Sequence, residues 1–465
     1  MRTERWQTIV SFLLLGYLCF NRTFAYLGIP PLNAFIGEGV LLLFVLAGPE
    51  IHGKGWMALT RKLDVLKPLI RAYSVLLLYG MFEVVRGIAA GHPPVTAVRD
   101  LAFNYYPLYL FLGVWAGLVT PGKLARNIRI FAWINGIYGV LFVLVLSRWA
   151  WTIPGASNGA APVQVFPGPV FSFVAILGLL GVERDLRKSW YLLLLNGFVL
   201  IAMQFRTEWL ALCVGILAWF ILSPRRMVVL KPIGAVMALI FFMYVTNFSI
   251  PSPSGRSEED LNVAQLVHRA TAPFETDVSD VNVVTGASGA DSQESTFVWR
   301  TVWWLAIWDS IHSSRNTTLF GFGYGFALGD LVPYLEGEFI RTPHNQFFYA
   351  LGYTGWIGVA IFYWFQFELV RLLLRTRCLT GEPVAFVLWL AMTAYAFAFT
   401  LNETPYGAIP FYLLIGWLAA PAVHEGYVKQ ASAYSHPAPV ACRESTKYLS
   451  RPMLEPRANP NPEAY

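Results

Sequence analysis

Charged residues and cysteines are both scarce in this chain of 465 residues. Asp, Glu, Lys and Arg together make up 13% of it, about half of the roughly 25% found in soluble proteins. A water-soluble globule of this length lacks the charge to cover its surface, and 56% of the residues are hydrophobic. Apolar runs of about 18 residues or more recur, as expected for membrane-spanning helices. The composition excludes soluble enzyme folds and predicts an all-α, polytopic membrane protein.

The four cysteines are too scattered to form a disulfide framework. Cys19 and Cys213 lie in apolar runs, Cys378 lies in a basic gap, and Cys442 lies near the end of the chain. The formal net charge of +6 does not indicate a nucleic-acid partner, because Lys and Arg cluster in the short gaps between apolar runs. The charge pattern instead predicts membrane orientation, with the lipid bilayer as the surroundings.

Twelve apolar segments are long enough to be assigned as spans. Lys and Arg concentrate in every second gap, so the positive-inside rule places both termini in the cytoplasm. The apolar run after residues 1–6 is interpreted as a retained first span, since no cleavage site is obvious. The predicted spans are 8–20, 34–50, 68–88, 98–119, 129–147, 167–182, 190–205, 207–223, 232–248, 344–367, 383–400 and 406–422.

The stretch from Trp190 to Leu222 contains only two charges, Arg206 and Glu208. As one helix it would be nearly 50 Å long at about 1.5 Å per residue, whereas the hydrocarbon layer is about 30 Å thick. Both flanks are basic and therefore cytoplasmic, so the chain must cross twice and reverse near Arg206. This reversal places Arg206 at the outer surface.

The chain divides into four predicted regions. Residues 1–248 form a bundle of nine spans, 249–343 a large extracytoplasmic loop with short helices, 344–424 three further spans, and 425–465 a disordered cytoplasmic tail. In the second half of the loop a Trp-rich helix is predicted to lie along the membrane interface. Its stripe comprises Arg300, Trp304, Trp308 and Ile311.

The strongest chemical signal is the pair His344-Asn345, preceded by Arg341, Thr342 and Pro343. Thr342 is a plausible N-cap and Pro343 suits the first helical position, which would place His344 in the first turn of the tenth span. A helix N-terminus disfavours imidazolium and attracts anions, so a neutral histidine there is suited to act as a general base. The alternative is that His344 only packs at the interface and caps a loop.

Arg206 and Arg300 are the other two chemical signals. An arginine at the membrane costs free energy and is usually paired or functional. Arg206 either binds a ligand or pairs with Glu208, and Arg300 either stacks on Trp304 or binds a phosphate.

The remaining signals are weaker. Gly321–Gly325 has the appearance of a phosphate loop but is more consistent with turns, because no strand precedes it and no Lys-Ser/Thr follows. Glu38 and Glu83 lie near or within early spans, and Glu83 has Arg86 one turn away as a partner. No Cys/His spacing or Asp-x-Asp pair indicates a metal, so neither a metal nor a cofactor is expected.

Arg206, Arg300 and His344 come from distant parts of the chain, yet the topology places all three on the outer face. Two arginines and a neutral histidine suit an anionic, membrane-tethered substrate. Because no nucleotide is supplied outside the cell membrane, an activated donor must contain its own leaving group, as a polyprenyl diphosphate does.

With these residues in place, the chain resembles the O-antigen ligase and O-antigen polymerase superfamily of bacterial inner-membrane glycosyltransferases. The resemblance rests on His344-Asn345 followed by Gly352 and Gly355, on Arg206 at a tight outer turn, and on Arg300 opening a Trp-rich helix before a Gly-x-Gly stretch. With the twelve-span layout it covers about residues 30–422.

The resemblance implies metal-independent, inverting transfer of a glycan from undecaprenyl diphosphate to an acceptor hydroxyl at the periplasmic face. Carried over, Arg206 and Arg300 bind the diphosphate, Arg341 is a further candidate, His344 deprotonates the acceptor, and Asn345 orients His344. Glu208 departs from the pattern and raises the question whether it neutralises Arg206.

The acceptor stays open between another glycan (polymerase) and lipid A–core or protein (ligase). There are two rival interpretations: a twelve-span secondary transporter and a non-catalytic polysaccharide-assembly scaffold. Such transporters usually consist of two similar halves, and the two halves of this sequence show no similarity.

Overall fold

The protein was analysed as a computed structural model. The structure describes residues 2–27, 35–46, 65–120, 122–149, 151–158, 161–183, 185–251, 253, 260–267, 295–332, 342–397, 399 and 401–433.

Helices dominate the described part of the chain. In chain order the α-helices are α1 (Arg2–Ala25), α2 (Ile36–Leu46), α3 (Lys67–Ala89), α4 (Pro94–Asp100), α5 (Ala102–Tyr105), α6 (Leu108–Val119), α7 (Lys123–Leu144), α8 (Ser172–Val182), α9 (Trp190–Ala202), α10 (Arg206–Leu222), α11 (Leu230–Thr246), α12 (Ser295–Ile311), α13 (Arg315–Phe320), α14 (Gln346–Thr380), α15 (Val384–Ala396) and α16 (Pro405–Ala433). Short 3₁₀ helices occupy Leu146–Arg148, Leu186–Lys188, Arg226–Val229 and Leu328–Leu331.

Each of the twelve predicted spans contains a helix, and within the described residues seven helical stretches are long and apolar enough to cross a membrane. These seven confirm a multi-pass helical membrane protein, while the count of twelve stays a prediction. The seven are Arg5–Ala25, Lys67–Ala89, Pro94–Val119, Lys123–Leu144, Arg226–Thr246, Gln346–Thr380 and Pro405–His424.

Helix α16 is the centre of the bundle and packs most closely on α6. A Cβ atom on Gly113 of α6 would collide with the backbone of Leu413, and one on Gly416 of α16 would collide with the backbone of Leu110. Glycines at such crossings let two helix backbones touch, which replaces the hydrophobic driving force that is missing in lipid.

The predicted reversal near Arg206 is present. Helix α9 ends at Ala202 and α10 begins at Arg206, and Gln204 between them has a left-handed φ of 58°. Left-handed backbone interrupts a helix, so the long apolar stretch divides into two helices at this point.

Basic side chains hold one end of the bundle together. Arg225, after α10, donates to the Glu183 carbonyl at the end of α8 (3.1 Å) and pairs with Glu382, after α14 (2.9 Å). Arg377 near the end of α14 donates to the Leu222 carbonyl at the end of α10 (2.9 Å). We call this the basic end; α8, α10 and α14 all begin at the opposite end.

A small β-hairpin, which the sequence did not predict, pairs β1 (Thr152–Asn158) with β2 (Ala161–Gln164) in antiparallel register. The Thr23 hydroxyl near the end of α1 donates to the Gln164 carbonyl (2.8 Å). The hairpin therefore lies beside the C-terminus of α1.

Candidate functional site

His344 lies in the turn immediately before α14, not within the helix as predicted. Its φ of 52° is left-handed and incompatible with a helical turn, and Asn345, not Thr342, is the N-cap. The Asn345 side-chain oxygen accepts from the N–H groups of Phe347 (2.9 Å) and Phe348 (3.3 Å). The prediction failed because it counted Thr342 and Pro343 as helix-starting residues, whereas the amide of Asn345 satisfies two free N–H groups of the helix.

Two further contacts fix this turn. The Asn345 side-chain amide donates to the Phe397 carbonyl after α15 (3.0 Å), and the Trp304 indole N–H of α12 donates to the Pro343 carbonyl (2.7 Å). The Trp304 ring also stacks on Phe348, with 5.5 Å between centroids and 8° between planes. The backbone of His344 is thus held from α12, α14 and the end of α15.

His344 is a neutral imidazole surrounded by positive charge. Burial, then the guanidinium groups of Arg300 and Arg22, lower the pKa of His344 to about 3. All three causes act in the same direction, because desolvation and nearby cations both disfavour imidazolium. The structure therefore brings two sequence-predicted residues, His344 and Arg300, into electrostatic contact and adds Arg22.

Arg300 is half-buried on α12. Burial lowers its pKa to about 10, partly offset by the nearby Tyr395 hydroxyl of α15. The predicted helix is present, but its fully buried face comprises Trp303, Ile307 and Ile311, whereas Trp308 is 39% exposed. The Trp303 indole donates to the Leu328 carbonyl (2.8 Å) and anchors α12. The electrostatic neighbours of Arg300 are Tyr395 of α15 and His344.

Arg22 was not singled out from the sequence. Helix α1 is kinked at Asn21 (φ 43°), and after the kink the Arg22 guanidinium carbon lies 5.1 Å from the ring centroid of Tyr406 in α16. Arg22 also interacts electrostatically with Tyr395 and Tyr26. The available sequence signal was a charge at the very end of an apolar run, which resembles an ordinary interfacial arginine.

Arg206 is half-buried and opens α10 at the same end of the bundle. Glu208, in the same turn, accepts a hydrogen bond from the Ser172 backbone N–H at the start of α8 (3.2 Å). The neighbouring rings of Phe171 and Phe173 contact Tyr395, with centroids 6.2 and 5.4 Å apart. The Arg206 turn is thereby linked to the Arg300–His344 region through Tyr395, while Arg341 lies outside the described residues.

The Gly321–Gly325 stretch forms turns, and its backbone donors are fully used. Gly321, Gly323 and Gly325 have φ values of 70°, 86° and 89°. Each of the five N–H groups donates to a protein acceptor, so none is available to cradle a phosphate. The acceptors are the carbonyl oxygens of Thr317, Gly352, Tyr353 and Glu83, and the carboxylate of Asp100.

The two early carboxylates have structural partners. Glu83 forms the predicted ion pair with Arg86 (2.6 Å). Glu38 accepts from the hydroxyls of Tyr105 (3.1 Å) and Tyr106 (2.9 Å) and from the Phe35 N–H at the start of α2 (2.9 Å). These contacts account for both residues without a role in chemistry.

Glu403 is a second residue that sequence reasoning missed. It lies in the short turn between α15 and α16, and both of its carboxylate oxygens are buried. Burial raises its pKa to about 8. The adjacent Asn402 side chain donates to Gln346, the first residue of α14, so Glu403 lies beneath the His344 turn. The signal was a carboxylate in a very short gap between two spans.

Comparison with known proteins finds a family match for the middle of the chain. Residues 191–363 match the family model of the O-antigen ligase (Wzy_C). This range includes Arg206, Arg300, Arg341, His344 and Asn345, and it ends before Tyr395 and Glu403. No curated protein matches the chain. The chain is a multi-pass membrane protein, and its residues 191–363 are similar to the O-antigen ligase family.

Proposed function

We propose that the protein transfers a glycan from undecaprenyl diphosphate to an acceptor hydroxyl, without a metal and with inversion at the anomeric carbon. The observation that supports this most directly is the neutral, half-buried His344 in electrostatic contact with Arg300, inside the segment that matches the O-antigen ligase family. A neutral imidazole can accept a proton, and a guanidinium matches a phosphate group bidentately.

Each residue has a defined part in the proposed reaction. Arg206, Arg300 and Arg341 bind the donor diphosphate. The acceptor oxygen attacks the anomeric carbon, the bond from that carbon to the phosphate oxygen breaks, and His344 takes the acceptor proton. Asn345 orients His344 by fixing the turn on which it stands.

Donor binding is expected to make His344 a stronger base. Without a ligand, two nearby guanidinium groups help to lower the pKa of His344 to about 3. A unit negative charge about 6 Å away, at an effective dielectric constant near 20, is worth about 3 kcal/mol or about two pKa units. A diphosphate between the arginines and His344 therefore raises the proton affinity of the imidazole only when the donor is present.

The proposed topology has twelve spans, both termini in the cytoplasm of the bacterial inner membrane, and the site at the periplasmic face. The contacts of Arg225 and Arg377 at the basic end support this orientation, because basic residues are retained on the cytoplasmic side. The division into regions 1–248, 249–343, 344–424 and 425–465 belongs to the same proposal.

The acceptor decides between a ligase and a polymerase. A ligase passes the glycan to lipid A–core or protein, and a polymerase passes it to another lipid-linked repeat. In a deletion strain, loss of attachment with intact polymer identifies a ligase, and single-repeat products identify a polymerase.

The test of the proposed function is glycan transfer by single-residue variants at normal abundance. His344→Ala is expected to abolish transfer and accumulate lipid-linked glycan, and Arg206→Lys to reduce transfer at least a hundredfold because lysine lacks the bidentate fork. His312→Ala and Arg315→Lys are the matched controls: His312 is exposed after α12, and Arg315 opens the exposed α13.

Unchanged glycan transfer by the His344→Ala variant would contradict the proposed role of His344 as the general base. Solute flux in liposomes that lack glycan transfer would favour a transporter instead.

A further inference from the structure

Arg22 lies at the end of the bundle opposite the basic end, and no carboxylate among the described residues balances its charge. Its electrostatic neighbours are Tyr406, Tyr395 and Tyr26, and its guanidinium carbon lies 5.1 Å from the Tyr406 ring centroid. Arg22 also forms a side-chain hydrogen bond with Tyr406. A guanidinium has five N–H donors, so this bond and the aromatic face leave donors for an anion. Arg22 is thus ready to bind an anion.

A kink in the backbone of α1 sets the position of Arg22 beside Tyr406. The kink at Asn21 has φ 43° and ψ −115°, a conformation that costs on the order of 1–3 kcal/mol outside glycine. A straight helix would point residue 22 elsewhere around the helix axis. Thr23 ties the same turn to the β-hairpin through the Gln164 carbonyl. The turn is therefore held in one orientation from outside the helix.

Arg22 and Arg300 approach His344 from different elements, α1 and α12, and both disfavour its protonation. Two half-buried guanidinium groups that act on one imidazole repel each other unless an anion lies between them. The described carboxylates of this region do not fill this role for Arg22: Glu38 is bonded to tyrosine hydroxyls, and Glu208 to the Ser172 N–H. Glu403 is buried, and burial raises its pKa to about 8, so it is mostly protonated at pH 7.

We propose that Arg22 binds a phosphate group of the polyprenyl diphosphate donor, opposite Arg300 and with the Tyr406 ring beneath it. This assignment rests on the proposed function, since it identifies a further ligand for the same donor. Arg22 lies outside the segment that matches the O-antigen ligase family, so the complete site needs the first helix as well.

The experiment measures binding without transfer. The full-length protein in nanodiscs is titrated with farnesyl diphosphate, farnesyl monophosphate and farnesol, and bound probe is quantified by native mass spectrometry. Arg22→Met is expected to weaken farnesyl diphosphate binding at least tenfold and farnesol binding less than twofold. Arg22→Lys is expected to weaken farnesyl diphosphate binding several-fold, because a point charge replaces the fork.

Arg99→Met is the matched control, because Arg99 is exposed and shares the neighbour Tyr26. It is expected to bind all three probes like the wild type. Without ligand, Arg22→Met is expected to melt at or above the wild-type temperature, since an apolar side chain replaces a half-buried charge that has no carboxylate partner among the described residues. A purely structural arginine would give a lower melting temperature.

Farnesyl diphosphate affinity within twofold of the wild type in Arg22→Met overturns the inference, as does an equal loss for farnesol. If Arg22→Met does not fold, the same titration is carried out on Arg22→Lys. An unchanged affinity of Arg22→Lys for farnesyl diphosphate overturns the inference. Failure of the proposed function is separately visible: His344→Ala would then retain glycan transfer, whatever the Arg22 titrations show.

Discussion

At the residue scale, burial makes an acid and a base neutral within one small region. Burial and two arginines lower the pKa of His344 to about 3, and burial raises the pKa of Glu403 to about 8. Neither side chain is charged to a large extent at pH 7 in the folded protein without ligand. Positive charge at the site therefore comes from arginines, which stay protonated when buried.

These two shifts give stability a defined pH dependence. The pKa of His344 is lower when folded than the ordinary value of 6.5, so its contribution to stability rises with pH up to about 6.5. The pKa of Glu403 is higher when folded than the ordinary value of 4.5, so its contribution falls from pH 4.5 to about 8. Below pH 6.5 the contributions of His344 and Glu403 to stability change in opposite directions as the pH rises. Above pH 6.5 only the loss of stability from Glu403 remains.

We predict that the wild-type protein loses about 2 kcal/mol of stability between pH 6.5 and 8, at 1.36 kcal/mol per pKa unit. Glu403→Gln should remove this loss, because the amide cannot ionise. Denaturant or thermal unfolding in detergent across this range checks the prediction, with Asp309→Asn, at an exposed position of α12, as the control. A pH-independent wild type, or a Glu403→Gln variant that still loses stability, contradicts it.

At the element scale, the start of α14 and its kink position the site. Asn345 caps the helix, and Gly355 (φ 60°) interrupts it where α14 meets the turns of Gly321–Gly325. A Cβ atom on Gly355 would lie 2.5 Å from the backbone of both Gly321 and Leu319. The outer loop thus contacts α14 backbone to backbone, which only glycine permits here.

We predict that Gly355→Ala destabilises the protein by at least about 2 kcal/mol, since it combines an unfavourable φ with a steric clash. Gly234→Ala on α11 is the matched control, because a Cβ atom there meets no atom within 4 Å. Melting temperatures of the two variants in the same detergent provide the measurement. Equal melting temperatures would show that the loop can move away from the kink at little cost.

At the scale of the whole molecule, the two ends of the bundle differ in chemistry. The basic end contains Arg225, paired with Glu382, and Arg377, which donates to the Leu222 carbonyl. At the other end Arg22 and Arg300 lie close to tyrosines and His344, and Arg206 opens α10. Basic residues are normally retained on the cytoplasmic side, so arginines at the opposite end need another explanation. Ligand binding is the explanation that we propose.

The orientation predicts which thiols a membrane-impermeant maleimide reaches in spheroplasts. In a background without other cysteines, Ser313→Cys, in the exposed turn after α12, should be labelled. The native Cys378, exposed near the basic end, should be labelled only after the membrane is permeabilised. The reverse pattern would place the candidate site in the cytoplasm and contradict the proposed topology.

The sequence alone determined the properties that depend on composition and spacing. Few charges and recurrent apolar runs specified a helical membrane protein, and the excessive length of residues 190–222 specified the reversal at Arg206. These conclusions follow from the thickness and low polarity of the bilayer, which act on every segment independently of its neighbours.

Only the tertiary structure decided which side chains meet. Arg22 and Glu403 have unremarkable sequence surroundings, and their environment arises because the ends of α1 and α15 converge on the turn before α14. The sequence also misplaced His344 within the helix, since the choice of Asn345 as the cap depends on partners distant in the chain, such as the Phe397 carbonyl. Burial and electrostatic contact are properties of packed elements, and a linear pattern does not specify them.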